Sequence, residues 1–148
     1  MKKPINDFKL QFQSKSLNEG FARTVVSAFV SQLDPTVEEI NDIKTAVSEA
    51  VTNCIVHAYP DSVGKIYITA SVFDDGEVRI KIRDAGKGIA DIKKAREPLY
   101  TTGGADRAGL GFSVMETFTD KMRVRSALAK GTTVTLIKRI EGKSSDNR

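Results

Sequence analysis

The sequence predicts an α/β protein of the α+β two-layer sandwich type, with helices packed on one face of a mixed, mostly antiparallel sheet. Several segments alternate apolar and polar residues, as strands with one buried face do. Two longer segments place apolar residues on a helical stripe, which lets a helix pack on a sheet. Asp74-Asp75-Gly76, between two alternating segments, indicates a hairpin. The 148 residues are enough for a single domain, 1–148, with an ordinary hydrophobic core.

The chain opens with a predicted strand, followed by a helix. Ser16 or Asn18 can cap this helix, which is expected to continue to about Leu33. Its predicted core stripe and the apolar residues of the strand are rich in phenylalanine. The strand residues are Phe8, Leu10 and Phe12, and the helix stripe consists of Phe21, Val25, Ala28 and Phe29.

The first helix also carries apolar residues away from that stripe. Val26 and Val30 are the two concerned, and a helix that is apolar on two sides often has two partners. We therefore expect a protein interface here. Arg23 lies away from Phe21, and we predict that this arginine contacts an acidic patch on a partner protein, although an exposed arginine is usually only solvated.

Asp34 and Pro35 predict the start of a second, longer helix. A capping side chain is followed by proline at the first helical position, and two glutamates follow in the first turn. The helix is expected to continue to about Ala58, and Pro60 ends it. Its predicted apolar stripe consists of Ile40, Ile43, Val47, Ala50, Val51 and Cys54.

Two strands near 65–73 and 77–83 form the predicted hairpin, and the second alternates sharply. Val78, Ile80 and Ile82 point one way, and the basic residues between them point the other way. A later segment, 121–125, repeats this alternation. One face of the sheet is therefore predicted to be basic and open to water. A solvated face is the simplest interpretation, and the alternative is a face that docks something acidic.

The rest of the chain is predicted to contain more loop. Two adjacent glycines and no periodicity predict a mobile lid over 101–107. The polar end of the chain, 141–148, is expected to be a frayed, disordered tail. The remaining predicted elements are a short helix that includes Ile92 and Ala95, a helix from about Leu110 to Thr119, and a last strand near 132–139.

Composition and charge limit the possible functions only broadly. The net charge is +4, but the 23 Lys and Arg residues are dispersed, so direct nucleic-acid binding is not expected. The single cysteine excludes an intrachain disulfide and favours a reducing compartment. No apolar leader follows the first lysines, and no apolar run approaches the ~20 residues that span a bilayer. We expect a cytoplasmic protein that does not bind membranes.

The most informative stretch lies near the end of the second predicted helix. Glu49, Asn53 and His57 are four residues apart, so they line one stripe beside the apolar one. Asn53 offers one neutral oxygen, which suffices for Mg²⁺ when nucleotide phosphates and waters supply the other ligands. Glu49 could take a proton from a hydroxyl that attacks a γ-phosphate. The simpler interpretation is a polar flank on an amphipathic helix, with His57 a surface residue at its end.

Two glycine motifs follow in order. Asp84-Ala85-Gly86-Lys87-Gly88 closes a strand, and an ionised carboxylate there suits a donor such as an adenine amino group. Glycines let the chain turn and let a flat ring approach the backbone. Gly109-Leu110-Gly111 is predicted to open a helix, whose free N–H groups would form a phosphate seat. Each motif alone is also compatible with an ordinary turn.

Taken together, these motifs resemble the asparagine and glycine boxes of the GHKL ATPase/kinase superfamily, which has a Bergerat-type α/β sandwich. The segments 31–36, 43–53 and 109–117 closely resemble the sporulation anti-sigma-F factors, a family of serine-protein kinases within that superfamily. The resemblance covers about residues 8–140. It implies a homodimer that binds and inhibits a sigma factor, and that uses ATP to phosphorylate a serine of an anti-anti-sigma partner.

The resemblance also implies a role for each motif residue. Glu49 would be the catalytic base, Asn53 the Mg²⁺ ligand and Asp84 the adenine anchor. The other positions that would contact ATP are Gly86, Gly88, Thr101, Gly103, Arg107, Gly109, Leu110, Gly111 and Thr132.

Three alternatives compete with an anti-sigma serine kinase of the sporulation type. A binding module that holds ATP without turnover has no need of Glu49. A histidine-kinase fragment needs a phosphoacceptor histidine, and the only histidine, His57, lies inside the nucleotide motif. An anti-sigma kinase for a stress sigma factor would differ only in its partners.

Overall fold

The computed structural model describes residues 2–96 and 105–143, and for residues 105–109 it describes only the backbone. Five strands and four α-helices are present in these parts of the chain. In order they are β1 (Asn6–Gln13), α1 (Leu17–Val30), α2 (Val37–Asn53), β2 (Lys65–Val72), β3 (Glu77–Asp84), α3 (Ile92–Ala95), α4 (Ala105–Thr117), β4 (Lys121–Ala127) and β5 (Gly131–Arg139).

The strands form one sheet in the order β1-β2-β3-β5-β4. Every neighbouring pair is antiparallel, so the sheet is not mixed as the sequence had indicated. The predicted hairpin is confirmed, and Gly76 in its turn has a positive φ of 92°. The α+β class and the helices on a single face of the sheet are also confirmed.

The core lies between the helices and one face of the sheet. Along β3, Val78, Ile80 and Ile82 are buried and the residues between them are exposed, as their alternation predicts. The buried face of α2 joins the same core cluster. No helix in the described parts of the chain is both long enough and apolar enough to cross a membrane. The buried residues of α2 are Ile43, Ala46, Val47, Ala50 and Val51.

The predicted stripe of α1 is wrong, because the helix turns a different side to the core. Val26 and Val30 are fully buried, so they are not a second, interface-forming side. Phe21 is 47% exposed and its ring packs at the helix edge against Phe12 of β1, with centroids 6.2 Å apart. The small side chains on the buried face let α1 lie close to the core, and the phenylalanine rings pack at the edge of that face.

The start of α2 lies two residues later than predicted. Thr36, not Asp34, caps the helix: its side chain accepts the Glu39 N–H, and the Glu39 carboxylate accepts the Thr36 N–H. Asp34 instead has a left-handed backbone with φ 52°, which aspartate tolerates better than most residues. The chain therefore turns sharply before the helix begins.

The end of α2 is irregular. Regular α-helix ends at Asn53, and the segment Cys54–Ala58 continues it as a π-helical turn. The predicted end near Ala58 is correct, but the change of helix type was not foreseen. Single π turns are rare and are often found at functional sites.

The predicted frayed tail is partly wrong. The Glu141 and Gly142 N–H groups donate to the Glu39 carboxylate, and the Lys143 N–H donates to the Asp34 carbonyl. These bonds tie the chain after β5 to the start of α2. They also help to keep the pKa of Glu39 below its ordinary value, against the opposing effect of burial. The rest of the predicted tail, 144–148, lies outside the described residues.

Candidate functional site

A cavity of about 320 Å³ lies between α2, the loop after β3, α4 and β5. Four residues predicted to contact the nucleotide line it together: Asn53, Asp84, Gly88 and Thr132. His57 also lines the cavity, whereas Glu49, one turn before Asn53, is not among its lining residues. The volume falls within the range of small-molecule sites. Residues from four distant parts of the sequence therefore meet around one concave space.

Asp84 is the buried charged group of this cavity, with 4% of its surface exposed. Its Oδ1 accepts the N–H groups of Gly86 at 2.9 Å and Thr132 at 3.2 Å. Its Oδ2 accepts the Cys54 thiol at 3.5 Å. Burial raises the pKa of Asp84, and these hydrogen bonds oppose that shift. Because a carboxylate has about four acceptor positions, Asp84 retains capacity for a donor on a bound molecule.

The two glycines after Asp84 are required by close contacts of the backbone. A side chain at Gly86 would place its Cβ 2.3 Å from the Ala58 carbonyl oxygen, at the end of the π turn. Gly88 has φ 75°, and a Cβ there would lie 2.0 Å from the Ala127 carbonyl oxygen. The loop is therefore clamped between the π turn and the β4–β5 turn, with no room for larger residues.

Tyr59 supports this loop and was not predicted from the sequence. Its hydroxyl accepts the Ala85 N–H at 2.7 Å and donates to the Lys65 carbonyl at 2.7 Å. The tyrosine thus joins the start of the glycine loop to the start of β2. Nothing in its sequence position marked this role, because Ala85 is 26 residues away in the chain.

Ser126 supports the other side of the loop. Its hydroxyl accepts the Ile89 N–H at 2.7 Å, donates to the Gly131 carbonyl at 3.0 Å and lies 2.7 Å from the Thr132 hydroxyl. A signal for it existed: Ser126 occupies the inward-facing position after Met122 and Val124, where the alternation calls for an apolar residue.

The first and third motifs meet where α4 crosses α2. A Cβ placed on Gly111 would lie 3.1 Å from Asn53 Oδ1 and 3.3 Å from Glu49 Oε2. A larger residue at this position would push these polar groups by a few tenths of an ångström, so glycine lets the α4 backbone lie directly against them. The Asn53 Nδ2 is buried and has no hydrogen-bond partner among the described residues. A buried amide nitrogen without an acceptor is costly unless a ligand supplies one, so the residue fits a site for a polar group.

The structure corrects the prediction for the third motif. Gly109-Leu110-Gly111 does not open a helix, because α4 already begins at Ala105. N–H groups this far into an α-helix donate to carbonyls one turn earlier, so they do not form a phosphate seat at a helix end. The preceding alanines and arginine are good helix formers, which explains the earlier start. Leu110 is 54% exposed on this helix.

Of three further predicted positions, one is described in part and two lie outside the described residues. The backbone of Arg107 lies in α4, and its side chain is outside the described part of the structure. Thr101 and Gly103, like the rest of the predicted lid up to residue 104, lie outside the described residues. Lys87, which was not among the predicted site residues, also lines the cavity from the glycine loop.

We expect the Cys54 thiol to be chemically inert in the folded protein. Burial, followed by the charge of Asp84, raises its pKa well above the ordinary value, and 5% of the residue is exposed. The thiolate is the reactive form. At neutral pH, an aromatic disulfide reagent should therefore modify the native protein at least about tenfold more slowly than the urea-unfolded chain. Equal rates would contradict this geometry.

The raised pKa of Cys54 also makes the stability of the folded protein depend on pH. Above about pH 8.5 the unfolded chain ionises its thiol, while the folded protein keeps the proton. The free energy of unfolding should then fall as the pH rises through that range. A Cys54→Ala variant should lose this part of the slope.

Comparisons with known proteins identify the family of the chain. The family described as "Histidine kinase-like ATPase domain" matches residues 13–138. A curated relative from Caldanaerobacter subterraneus subsp. tengcongensis, named "Anti-sigma F factor", is 57% identical over 91% of this chain and 94% of its own length. A relative from Clostridium botulinum with the same name is 53% identical over 90% of this chain and 94% of its own length.

Solved structures with similar folds are more distant in sequence. A Mycobacterium tuberculosis protein that contains RsbU and RsbW domains superposes with a TM-score of 0.68 at 23% identity, over 93% of this chain and 33% of that longer chain. The mycobacterial sensor histidine kinase MprB gives a TM-score of 0.55 at 14% identity, over 91% of this chain and 99% of that chain. At these identities the similarity concerns the fold.

Proposed function

Since the chain belongs to the histidine kinase-like ATPase domain family and to the anti-sigma F factors within it, we propose that it binds and inhibits a sporulation sigma factor. We propose further that it uses Mg-ATP to phosphorylate a serine of an anti-anti-sigma protein. The observation that carries the enzymatic part is the meeting of Glu49 and Asn53 at Gly111, beside a cavity that has Asp84 buried in its wall.

Asp84 is the residue that would recognise the adenine. The ionised carboxylate only accepts hydrogen bonds, and its Oδ1 is already held by two backbone N–H groups. Its Oδ2 carries only the weak thiol donor of Cys54, so it is the oxygen left for an adenine amino group. Gly88 and Thr132 line the same cavity and would contact the nucleotide beside Asp84.

Asn53 would bind the Mg²⁺ that accompanies ATP. The Asn53 Nδ2 has no partner among the described residues. Rotation about one bond exchanges the nitrogen and the oxygen of the carboxamide, so the oxygen can take that position without breaking a hydrogen bond of Nδ2. One protein oxygen is sufficient, since Mg²⁺ commonly takes its other ligands from water and phosphate. When bound, the ion would neutralise charge on the phosphates. Arg107 of α4 would add positive charge near them.

Glu49 would act as the general base, one helical turn from Asn53. Its carboxylate would take the proton of the partner's serine hydroxyl while the serine oxygen bonds to the γ-phosphorus and ADP leaves. In the structure, the carboxylate lies beside the α4 backbone at Gly111. A protein that only held ATP would not need a carboxylate at this position, and this observation favours a kinase over a binding module.

The direct test is a phosphorylation assay with purified proteins. The chain is mixed with Mg²⁺, γ-labelled ATP and either a sporulation or a stress anti-anti-sigma protein, and labelled serines are mapped by mass spectrometry. We expect one serine of the sporulation partner to be labelled. Labelling of only the stress partner would change the proposed sigma factor. ATP binding without labelling of either would support the non-catalytic alternative.

The partner surface is proposed on α1, and a cytoplasmic homodimer is part of the same proposal. Val26 and Val30 no longer support an interface there, because they are buried in the core. Arg23 remains exposed, and its only ion pair among the described residues is with Glu19 at 3.7 Å on the same helix. Exposed pairs of this kind contribute little to stability, so the arginine is available to a partner.

Charge reversal at Arg23 should therefore separate binding from folding. We expect Arg23→Glu to lose sigma-factor binding in a pull-down while ATP affinity and the melting temperature stay nearly unchanged. Lys93→Glu, an exposed reversal on α3, is the control for net charge. Retained binding by Arg23→Glu would place the contact surface elsewhere.

A further inference from the structure

The sheet face opposite the helices is a second distinctive surface. We define the basic face as the residues of two neighbouring cross-strand rows at the middle of the sheet, on the side that faces away from the helices. The strand register places one residue of each strand in each row. The first row is Lys9, Thr69, Lys81, Thr135 and Arg123, and the second is Gln11, Tyr67, Arg83, Thr133 and Arg125.

The charges of the basic face have one sign. It contains five cations and no carboxylate, and none of these cations makes an ion pair with another described residue. The neighbouring arginines differ: Arg79 lies 2.6 Å from Glu77, and Arg139 pairs with Asp75. Lys81 and Arg83 on β3, and Arg123 and Arg125 on β4, are like charges two residues apart on one strand, so they repel one another and an anion relieves that repulsion.

The basic face is also concave. A groove of about 330 Å³ runs along β1, β2 and β3, and its lining includes Lys9, Lys81 and Arg83. The Arg83 guanidinium lies over the Tyr67 ring, 4.0 Å from its centroid. This stacking holds the planar group flat at the edge of the groove, where its donors can receive a carboxylate.

The chemistry of the basic face favours carboxylates over nucleic-acid bases. Binding of single-stranded nucleic acid depends on free aromatic rings for stacking, and Tyr67, the one ring in these rows, is already covered by Arg83. A second copy of the chain is disfavoured as well, because two basic faces would repel each other. An extended acidic peptide supplies carboxylates at every second residue, about 7 Å apart, which matches the repeat of cations along a strand.

We propose that the basic face binds an acidic segment of a partner protein, with Lys9, Lys81 and Arg83 receiving carboxylates in the groove and Arg123 and Arg125 extending the site across β4. The basic face lies on the opposite side of the sheet from the nucleotide cavity, so the two can be occupied together. This site does not depend on the proposed kinase activity.

The test uses a fluorescent peptide of alternating glutamate and serine as probe. Its anisotropy is titrated with the full chain at low and high salt, beside a glutamine–serine peptide. We expect binding of the glutamate peptide only, with affinity falling as salt rises. Lys9→Gln combined with Lys81→Gln should weaken binding at least about tenfold, since it removes two charge-assisted contacts.

Two matched variants make the result decisive. Arg79→Gln combined with Arg139→Gln removes the same charge from arginines already paired with carboxylates, and should change affinity less than about twofold. Arg123→Gln combined with Arg125→Gln should weaken binding and serves if the Lys9 and Lys81 variant unfolds. Equal losses of peptide affinity in all variants would mean that net charge alone explains the binding, and this would overturn the proposal.

Two further outcomes would also overturn the proposal. A single-stranded RNA of similar length that binds more tightly than the peptide, and is lost in the same variants, would make the basic face a nucleic-acid site. A change of sedimentation coefficient in those variants, measured without any peptide, would show that a second copy of the chain covers the basic face.

Discussion

Glu49→Gln is expected to lower phosphoryl transfer to the partner serine by ~10²–10⁴-fold, the usual contribution of a general base. Glutamine keeps the size and hydrogen-bonding shape of the side chain, but it does not accept a proton at neutral pH. The Gly111 backbone packs against this group, and an isosteric change avoids a clash there. ATP affinity should stay close to that of the unchanged protein, because Asp84 and Asn53 remain in place.

The measurement is single-turnover transfer from labelled ATP, with calorimetry of ATP binding on the same preparations. Glu38→Gln is a matched control, since Glu38 is an exposed carboxylate in the first turn of the same helix. It should transfer phosphate at the normal rate. Undiminished transfer by Glu49→Gln would exclude Glu49 as the base, and loss of ATP binding would make it a ligand-holding residue instead.

Asp84→Asn should weaken ATP binding by about 1.5–3 kcal/mol, roughly 10- to 150-fold. The asparagine oxygen can still accept the Gly86 and Thr132 N–H groups, so the loop should keep its structure. Its amide nitrogen then replaces the acceptor Oδ2 and presents donors where an adenine amino group needs an acceptor. The charge that strengthened that bond is also lost.

Calorimetry with ATP and GTP separates base recognition from a general loss of binding. Guanine presents a carbonyl oxygen where adenine presents its amino group, so the Asn variant should lose much more affinity for ATP than for GTP. Equal losses would contradict a base-specific role. A circular dichroism melt of the variant serves as the check on folding.

The raised pKa of Asp84 adds a pH signature to the same experiment. Burial raises the pKa, so the ionised acceptor is lost at a higher pH than for an ordinary aspartate. ATP affinity should therefore decline as the pH falls toward that pKa. The decline attributable to this residue should be absent in Asp84→Asn, and the difference between the two proteins isolates it from the titration of the phosphates.

Much of this fold could be read from the sequence by itself. Alternation in β1 and β3 reports which face of a strand is buried, because side chains alternate strictly across a sheet. The hairpin turn is equally local. The residue types at Glu49, Asn53 and Asp84 were compatible with nucleotide chemistry, and the resemblance of the motifs as a set assigned a role to each.

Other features were decided only by the tertiary structure. Apolar residues lie on several sides of α1. Tertiary packing buries the side that carries the smaller residue Val26 and leaves Phe21 partly exposed, because smaller side chains let the helix lie closer to the core. Thr36 caps α2 through a local capping box with Glu39, but only the fold brings the Glu141 N–H of the chain after β5 to the same carboxylate. Such contacts join residues that are distant in the chain, so local patterns carry no information about them.

The site itself shows the same division. The sequence determined which polar groups and glycines were available, and in what order. That Gly111 meets Glu49 and Asn53 depends on α4 crossing α2, and that Asp84 is buried beside Cys54 depends on β3 lying under the π turn. Spacing along one helix can align side chains, but only packing between elements decides which groups from separate elements come within hydrogen-bonding distance.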